Sequence, residues 1–177
     1  EGHTDEQIHF VGNIMIDTLV HALAKTRNGN GSANRAAPTE PYLVATLHRP
    51  ANVDDPRTIA ELMAALVELG TEMPVVFPVH PRTRERLQAL AAQAPKAAEG
   101  RLQLVEPLSY PAMARLVAGS QAVITDSGGL QEETTFLGVP CLTVRTTTER
   151  PITCTEGTNR LVAANRKAIV AATHQAL

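Results

Sequence analysis

Tryptophan is absent from this chain, and two tyrosines and three phenylalanines hold the aromatic share to 3%. Lys and Arg number 16 against 18 Asp and Glu, a formal charge of −2, and nowhere do basic residues interleave with stacking rings. Nucleic acid is therefore not an expected partner, because phosphate backbones call for a basic surface and unpaired bases for ring stacking. Cysteine is scarce too. Cys141 and Cys154 do not form a C-x-x-C pair and have no histidine cluster beside them, which argues against a disulfide framework and against a metal site. Both read as ordinary thiols. No apolar run approaches the roughly 18 residues that span a bilayer, and the first residues lack a charged stretch followed by an apolar one. The expectation is a cytoplasmic protein with no membrane partner.

What is present is the balance of a globular domain: 177 residues, 44% hydrophobic and 19% charged. Residues 8–11 read as a short strand and Ile14, Leu19 and Leu23 as a following helix, so that 1–25 forms a strand-and-helix entry. Residues 26–41, rich in Asn, Gly, Ser, Ala and Pro, read as a flexible linker; Gly29-Asn30-Gly31 within it follows a helix and lacks the later glycine of a dinucleotide fingerprint. From 42 onward apolar runs of strand length (42–47, 75–79, 101–105, 122–125, 141–144, 160–163) alternate with amphipathic stretches (56–69, 82–92, 111–118, 129–137). That alternation predicts an α/β fold with a doubly wound parallel sheet, Rossmann-like, over 42–177. The absent initiator Met and an unfinished helix over 166–177 read as a piece of a longer protein. In such sheets ligands bind beyond the carboxyl ends of the strands, so the loops there are the ones to examine.

The sharpest loop is Asp126-Ser127-Gly128-Gly129-Leu130-Gln131-Glu132-Glu133. Asp126 or Ser127 is expected to cap the helix, while the two glycines let its first turn approach a ligand and its dipole favours an anion. The same residues also suit a plain cap with tight strand–helix packing. On a helical wheel Leu130, Thr134 and Leu137 face the sheet, Glu132 points to solvent, and Glu133 sits about 60° from the buried centre. There Glu133 meets either a ribose diol or an arginine. His48-Arg49-Pro50-Ala51-Asn52 follows the first regular strand and His80-Pro81-Arg82 the second. The loop Arg145-Thr146-Thr147-Thr148-Glu149-Arg150-Pro151 carries hydroxyls and two guanidinium groups, of which one can pair with Glu149 and the other grip phosphate. Together these loops specify a phosphorylated ligand.

His48-Arg49 with Asn52, Pro78-Val79-His80-Pro81, the stretch 126–133 and Thr148-Glu149-Arg150-Pro151 resemble, in order and spacing, the non-hydrolysing UDP-N-acetylglucosamine 2-epimerases; Val11-Gly12-Asn13 with Ile16-Asp17 resembles that family's crossover from its first domain. The resemblance implies the second, nucleotide-binding domain of a two-domain GT-B-like enzyme, truncated at its C-terminus. It implies that Ser127, Gly128 and Gly129 bind the diphosphate, Glu133 the ribose, Arg150 and His48 the diphosphate or sugar side, and that Met113 lies against the uracil. Arg49 and His80 resemble residues that hold a second, activating UDP-GlcNAc. The implied reaction interconverts UDP-GlcNAc and UDP-ManNAc by elimination and re-addition of UDP, with no cofactor or metal. Its acid and base carboxylates lie in the other domain, leaving His48 as the only proton-transfer candidate here. A homodimer is implied for the full-length protein. Ala51 and Ile152 depart from the family pattern, each standing where many relatives have Glu. Two other readings remain open: the donor-binding half of a GT-B glycosyltransferase, and a stand-alone nucleotide-sugar-binding module.

Overall fold

The computed structural model describes residues 2–9, 11–27, 37–79, 81–92 and 101–177. Six strands, β1 (Leu43–Thr46), β2 (Val75–Pro78), β3 (Leu102–Val105), β4 (Ala122–Thr125), β5 (Cys141–Val144) and β6 (Asn159–Val162), form one parallel sheet in the order β3-β2-β1-β4-β5-β6. The order reverses between β1 and β4. Ligands of such sheets bind in a crevice at the carboxyl edge beside this reversal, and here the segments that follow β1 and β4 meet there through Asp126.

Helices cover both faces because neighbouring residues of a strand point to opposite sides. Leu43, Ala45, Val75, Phe77, Ile124 and Leu142 join one core with α3 (Pro56–Gly70), α4 (Pro81–Ala91) and α8 (Arg166–Ala176). Val44, Val76 and Val123 join a second with α5 (Tyr110–Ala118) and α6 (Gly128–Leu137), against which α1 (Ile14–Arg27) packs. In α3 the apolar residues Ile59, Leu62, Met63, Leu66 and Leu69 recur at helical spacing and are all buried, each stabilising the fold by about 1.5–3 kcal/mol before entropy. The Asp55 side chain starts this helix by accepting from the Thr58 N–H at 2.7 Å, with Pro56 at its first position.

The predicted class and the six strands expected from residue 42 onward hold, with ends shifted by a residue or so. Residues 8, 9 and 11, expected in a strand, lie in none; a 3-10 turn at Asp5–Gln7 precedes them, and among the described residues no neighbouring strand offers them a ladder. The helix α1 continues to Arg27, into the stretch expected as a linker, most of which lies outside the described residues, as does His80. Two one-turn helices, α2 (Pro50–Val53) and α7 (Ile152–Thr155), were not anticipated, since four residues carry no readable period. Both turn the chain just after a candidate residue, α2 after Arg49 and α7 after Arg150 and Pro151.

Candidate functional site

The crevice between β1 and β4 is organised by Asp126, whose side chain is fully buried. Its carboxylate accepts from the His48 backbone N–H at 3.1 Å, the Arg49 N–H at 2.9 Å and Asn52 Nδ2 at 3.0 Å, and it faces His48 Nδ1 at 2.8 Å. The expectation that Asp126 or Ser127 caps α6 is thus overturned. Asp126 is turned back to hold the β1 loop, and Ser127 occupies the cap position without making a side-chain capping bond. The positive end of α6 is left without a side-chain cap. His48, its side chain 64% exposed, is oriented by Asp126 through Nδ1.

Over that uncapped turn lies Arg150. A Cβ added at Gly128 would stand 2.9 Å from Arg150 Nη1, so only glycine lets the guanidinium lie this close. A cation at a helix N-terminus is unfavourable by itself; here Glu132 compensates it, accepting from Arg150 Nε at 2.6 Å. Glu132 was expected in solvent, but its side chain is only 24% exposed and its second oxygen takes Asn13 Nδ2 at 3.1 Å. The wheel placed the helix alone and not the loop and the α1 entry that pack on it.

Glu133 is buried, and its partner is Tyr110, whose hydroxyl donates to Oε1 at 3.0 Å; the arginine alternative is not realised. Burial pushes the Glu133 carboxyl above its ordinary range, with the Tyr110 bond pulling it down and the charge of Glu132 adding to the rise. The Tyr110 phenol is pushed up to about 12, first by burial, then by its bond to Glu133 and by that group's charge. Met113, one turn beyond Tyr110 on α5, is partly buried against the second core.

Gln131, also fully buried, links the two motifs. Its Nε2 donates to the Ser127 carbonyl at 3.2 Å, and its Oε1 accepts from the Thr148 hydroxyl and from Asn159 Nδ2 at 3.1 Å. Thr148 Oγ1 in turn accepts from the Arg150 N–H at 3.0 Å. Sequence reasoning missed Tyr110, Gln131 and Asn159 as parts of this arrangement. Tyr110 could have been noticed as an aromatic at the first position of α5, just past the loop after β3, in a chain nearly without them.

Of the two loop arginines, Arg145 is the one that pairs with Glu149, in a fork at 2.8 and 2.7 Å. That fork, then Glu149's own N–H and the charges of Arg145 and Arg49, hold the Glu149 carboxyl down at about 2. Arg49 donates from Nε to the Asp126 carbonyl at 2.9 Å. It lines a cavity of about 380 Å³ with Ala51, Asn52, Thr58, Arg145 and Thr147, and its Nη2 stands 3.9 Å from Glu149 Oε1. No three acidic, His or Cys side chains cluster as a metal site among the described residues.

An uncapped glycine-rich helix start beneath a guanidinium, with a buried carboxylate farther along, suits a diphosphate joined to a diol. The family model described as UDP-N-acetylglucosamine 2-epimerase matches residues 1–177. The chain belongs to that family. It is 32% identical over 177 residues to the UDP-N-acetylglucosamine 2-epimerase of Methanocaldococcus jannaschii, covering 97% of this chain and 48% of that one. To the UDP-2,3-diacetamido-2,3-dideoxy-D-glucuronate 2-epimerase of Pseudomonas aeruginosa it is 37% identical over 161 residues, covering 90% and 43%. The solved Methanocaldococcus epimerase superposes with a TM-score of 0.84 at 29% identity, over 98% of this chain and 50% of the other; its complex with UDP-GlcNAc and UDP gives 0.81 at 30%, over 99% and 49%. The chain spans about half the length of the curated relatives it matches. A rhamnosyltransferase at 20% identity and a TM-score of 0.55 shares the fold alone. Membership of the epimerase family sets aside the glycosyltransferase reading.

Proposed function

We propose that this chain is the UDP-holding half of a UDP-N-acetylglucosamine 2-epimerase, which interconverts UDP-GlcNAc and UDP-ManNAc. The observation that carries it is the uncapped first turn of α6 facing the Arg150 guanidinium, with the buried Glu133 farther along the same helix. In this reading the N–H groups of Gly128 and Gly129, the Ser127 hydroxyl and Arg150 take the diphosphate, Glu133 takes the ribose hydroxyls, and Met113 lies against the uracil. His48 faces the sugar side.

The reaction would remove the C2 proton and expel UDP from C1 to leave a 2-acetamidoglucal, then return UDP with the proton delivered to the opposite face. As UDP leaves, charge grows on its β-phosphate, and a helix N-terminus with a guanidinium is suited to stabilising it. Two faces need two positioned proton-transfer groups. Asp126, Glu132, Glu133 and Glu149 are each engaged by partners in this chain, so the acid and base are assigned to the part of the relatives that this chain does not match. The same reading includes a homodimer, a cytoplasmic location and a role in cell-envelope polysaccharide synthesis; no helix among the described residues is long and apolar enough to cross a membrane.

Calorimetric titration of UDP tests the site. In Gly128→Ala the new Cβ meets the movable end of Arg150 and not the backbone, so the fold should survive while UDP weakens about tenfold or more, the worth of one charge-assisted hydrogen bond. Unchanged affinity in a folded variant would remove the diphosphate from this helix.

A further inference from the structure

Arg150 is not held by its own loop alone. Its Nε donates to one oxygen of Glu132 at 2.6 Å, and the other oxygen of Glu132 accepts from Asn13 Nδ2 at 3.1 Å. Asn13 lies 119 residues from Glu132 in sequence, at the head of α1, where its Oδ1 accepts from the Met15 N–H at 3.0 Å and caps the helix. Directly before it Gly12 takes φ +83, a turn that other residues rarely adopt. The two helix starts are in close contact: a Cβ on Gly129 would stand 2.8 Å from Met15 Cε. Both oxygens of Glu132 are thus spoken for, and Nη1 of Arg150 is left beside Gly128.

We propose that Asn13 is a positioning residue for the phosphate site: by fixing Glu132 it fixes Arg150 over the first turn of α6, coupling the Gly12–Asn13 elbow to diphosphate binding. The inference rests on the reading of α6 as the diphosphate site. Arginine loses much rotamer freedom when it is held, so a guanidinium ordered before the ligand arrives spares the ligand that cost. Coupling of this kind is reciprocal. A diphosphate that engages Arg150 should in turn tighten the elbow, and disturbance of the elbow should weaken the diphosphate and leave uridine alone.

Asn13→Ser separates the cap from the relay, since serine keeps a capping oxygen at the head of α1 but is too short to reach Glu132. UDP and uridine are titrated into the wild type, Asn13→Ser and Glu132→Ala. In parallel the Arg150 Nε–H resonance is followed by ¹⁵N NMR without nucleotide, assigned with Arg150→Lys. Asn13→Ser is expected to melt near the wild type, to bind UDP roughly 3- to 10-fold more weakly, as the loss of one hydrogen bond allows, and to bind uridine within about twofold. Its Arg150 Nε–H should lose its shifted, slowly exchanging signal. Glu132→Ala should show the same pattern more strongly. An Arg150 signal unchanged in Asn13→Ser overturns the inference whether or not UDP binds, as does an unchanged ratio of UDP to uridine affinity. Absence of UDP binding by the wild type would overturn the diphosphate reading itself, with the NMR arm still judging the relay.

Discussion

Glu133 carries opposite consequences for stability and for binding. Its folded carboxyl is raised above the ordinary value of 4.5, chiefly by burial, so the folded state holds that proton more tightly than the unfolded chain does. The resulting penalty is absent below about pH 4.5 and grows as pH rises through the folded value. Glu133→Gln, which keeps an acceptor for Tyr110, should therefore melt at the same or a higher temperature than wild type at neutral pH, with the two curves converging in acid. The same substitution should weaken UDP by about 1.5–3 kcal/mol and leave pyrophosphate nearly untouched, because the lost bonds are to the ribose; equal losses for both ligands would make Glu133 structural. Phenolate absorbance gives an independent reading. Tyr110 should titrate near 12 in wild type and lower in Glu133→Gln, because the bond to Glu133 and its charge both add to the rise that burial causes. Glu149 has the reverse sign. Its value of about 2 means that the Arg145 fork is complete above pH 4.5 and is lost as pH falls toward 2, and the loop 145–150 should loosen over that window.

At the scale of the element, α6 is defined by glycines used in different ways. Gly138 ends it at φ +70, the left-handed C-terminal position that a Cβ disfavours, so Gly138→Ala should cost about 1–2 kcal/mol in urea unfolding. Gly157, after α7, has no room of another kind: a Cβ there would lie 2.5 Å from Thr135 Oγ1 and 2.6 Å from the Thr153 carbonyl. Gly157→Ala should cost about 1–3 kcal/mol and, by pushing α7 away from α6, also weaken UDP. A Gly157→Ala variant as stable as wild type would show that α7 is free to shift. Neither glycine stood out in the sequence, where Gly138 reads as an ordinary helix stop and Gly157 as part of a loop. The strands and longer helices were legible because each spans at least one full hydrophobic period. The one-turn helices α2 and α7 were not, although they begin just after the candidate residues Arg49 and Arg150.

For the whole molecule the decisive feature is the strand order, which puts β1 beside β4 and β4 beside β5. The loops after β1, β4 and β5 therefore converge, and the proposed diphosphate site is built from them. Following the proposed division of labour, the protein alone should bind UDP yet incorporate no solvent deuterium at C2 of UDP-GlcNAc, and exchange should appear when the matching half of a relative is supplied. Exchange by the chain alone at the rate of a full-length epimerase would refute that division. What the sequence by itself determined is the α/β class, the places of the strands and the loops that carry chemistry, because periodicity, caps and turn residues act over a few neighbours. It also marked Gly128, Glu133 and Arg150 as belonging to one pattern. Only the tertiary structure decided which polar side chain meets which: Asp126 with the β1 loop, Tyr110 with Glu133, Asn13 with Glu132. A buried donor or acceptor must take a partner from whatever the fold brings within about 3 Å. Partners 23 to 119 residues apart are chosen by strand order and helix packing, which no local pattern encodes.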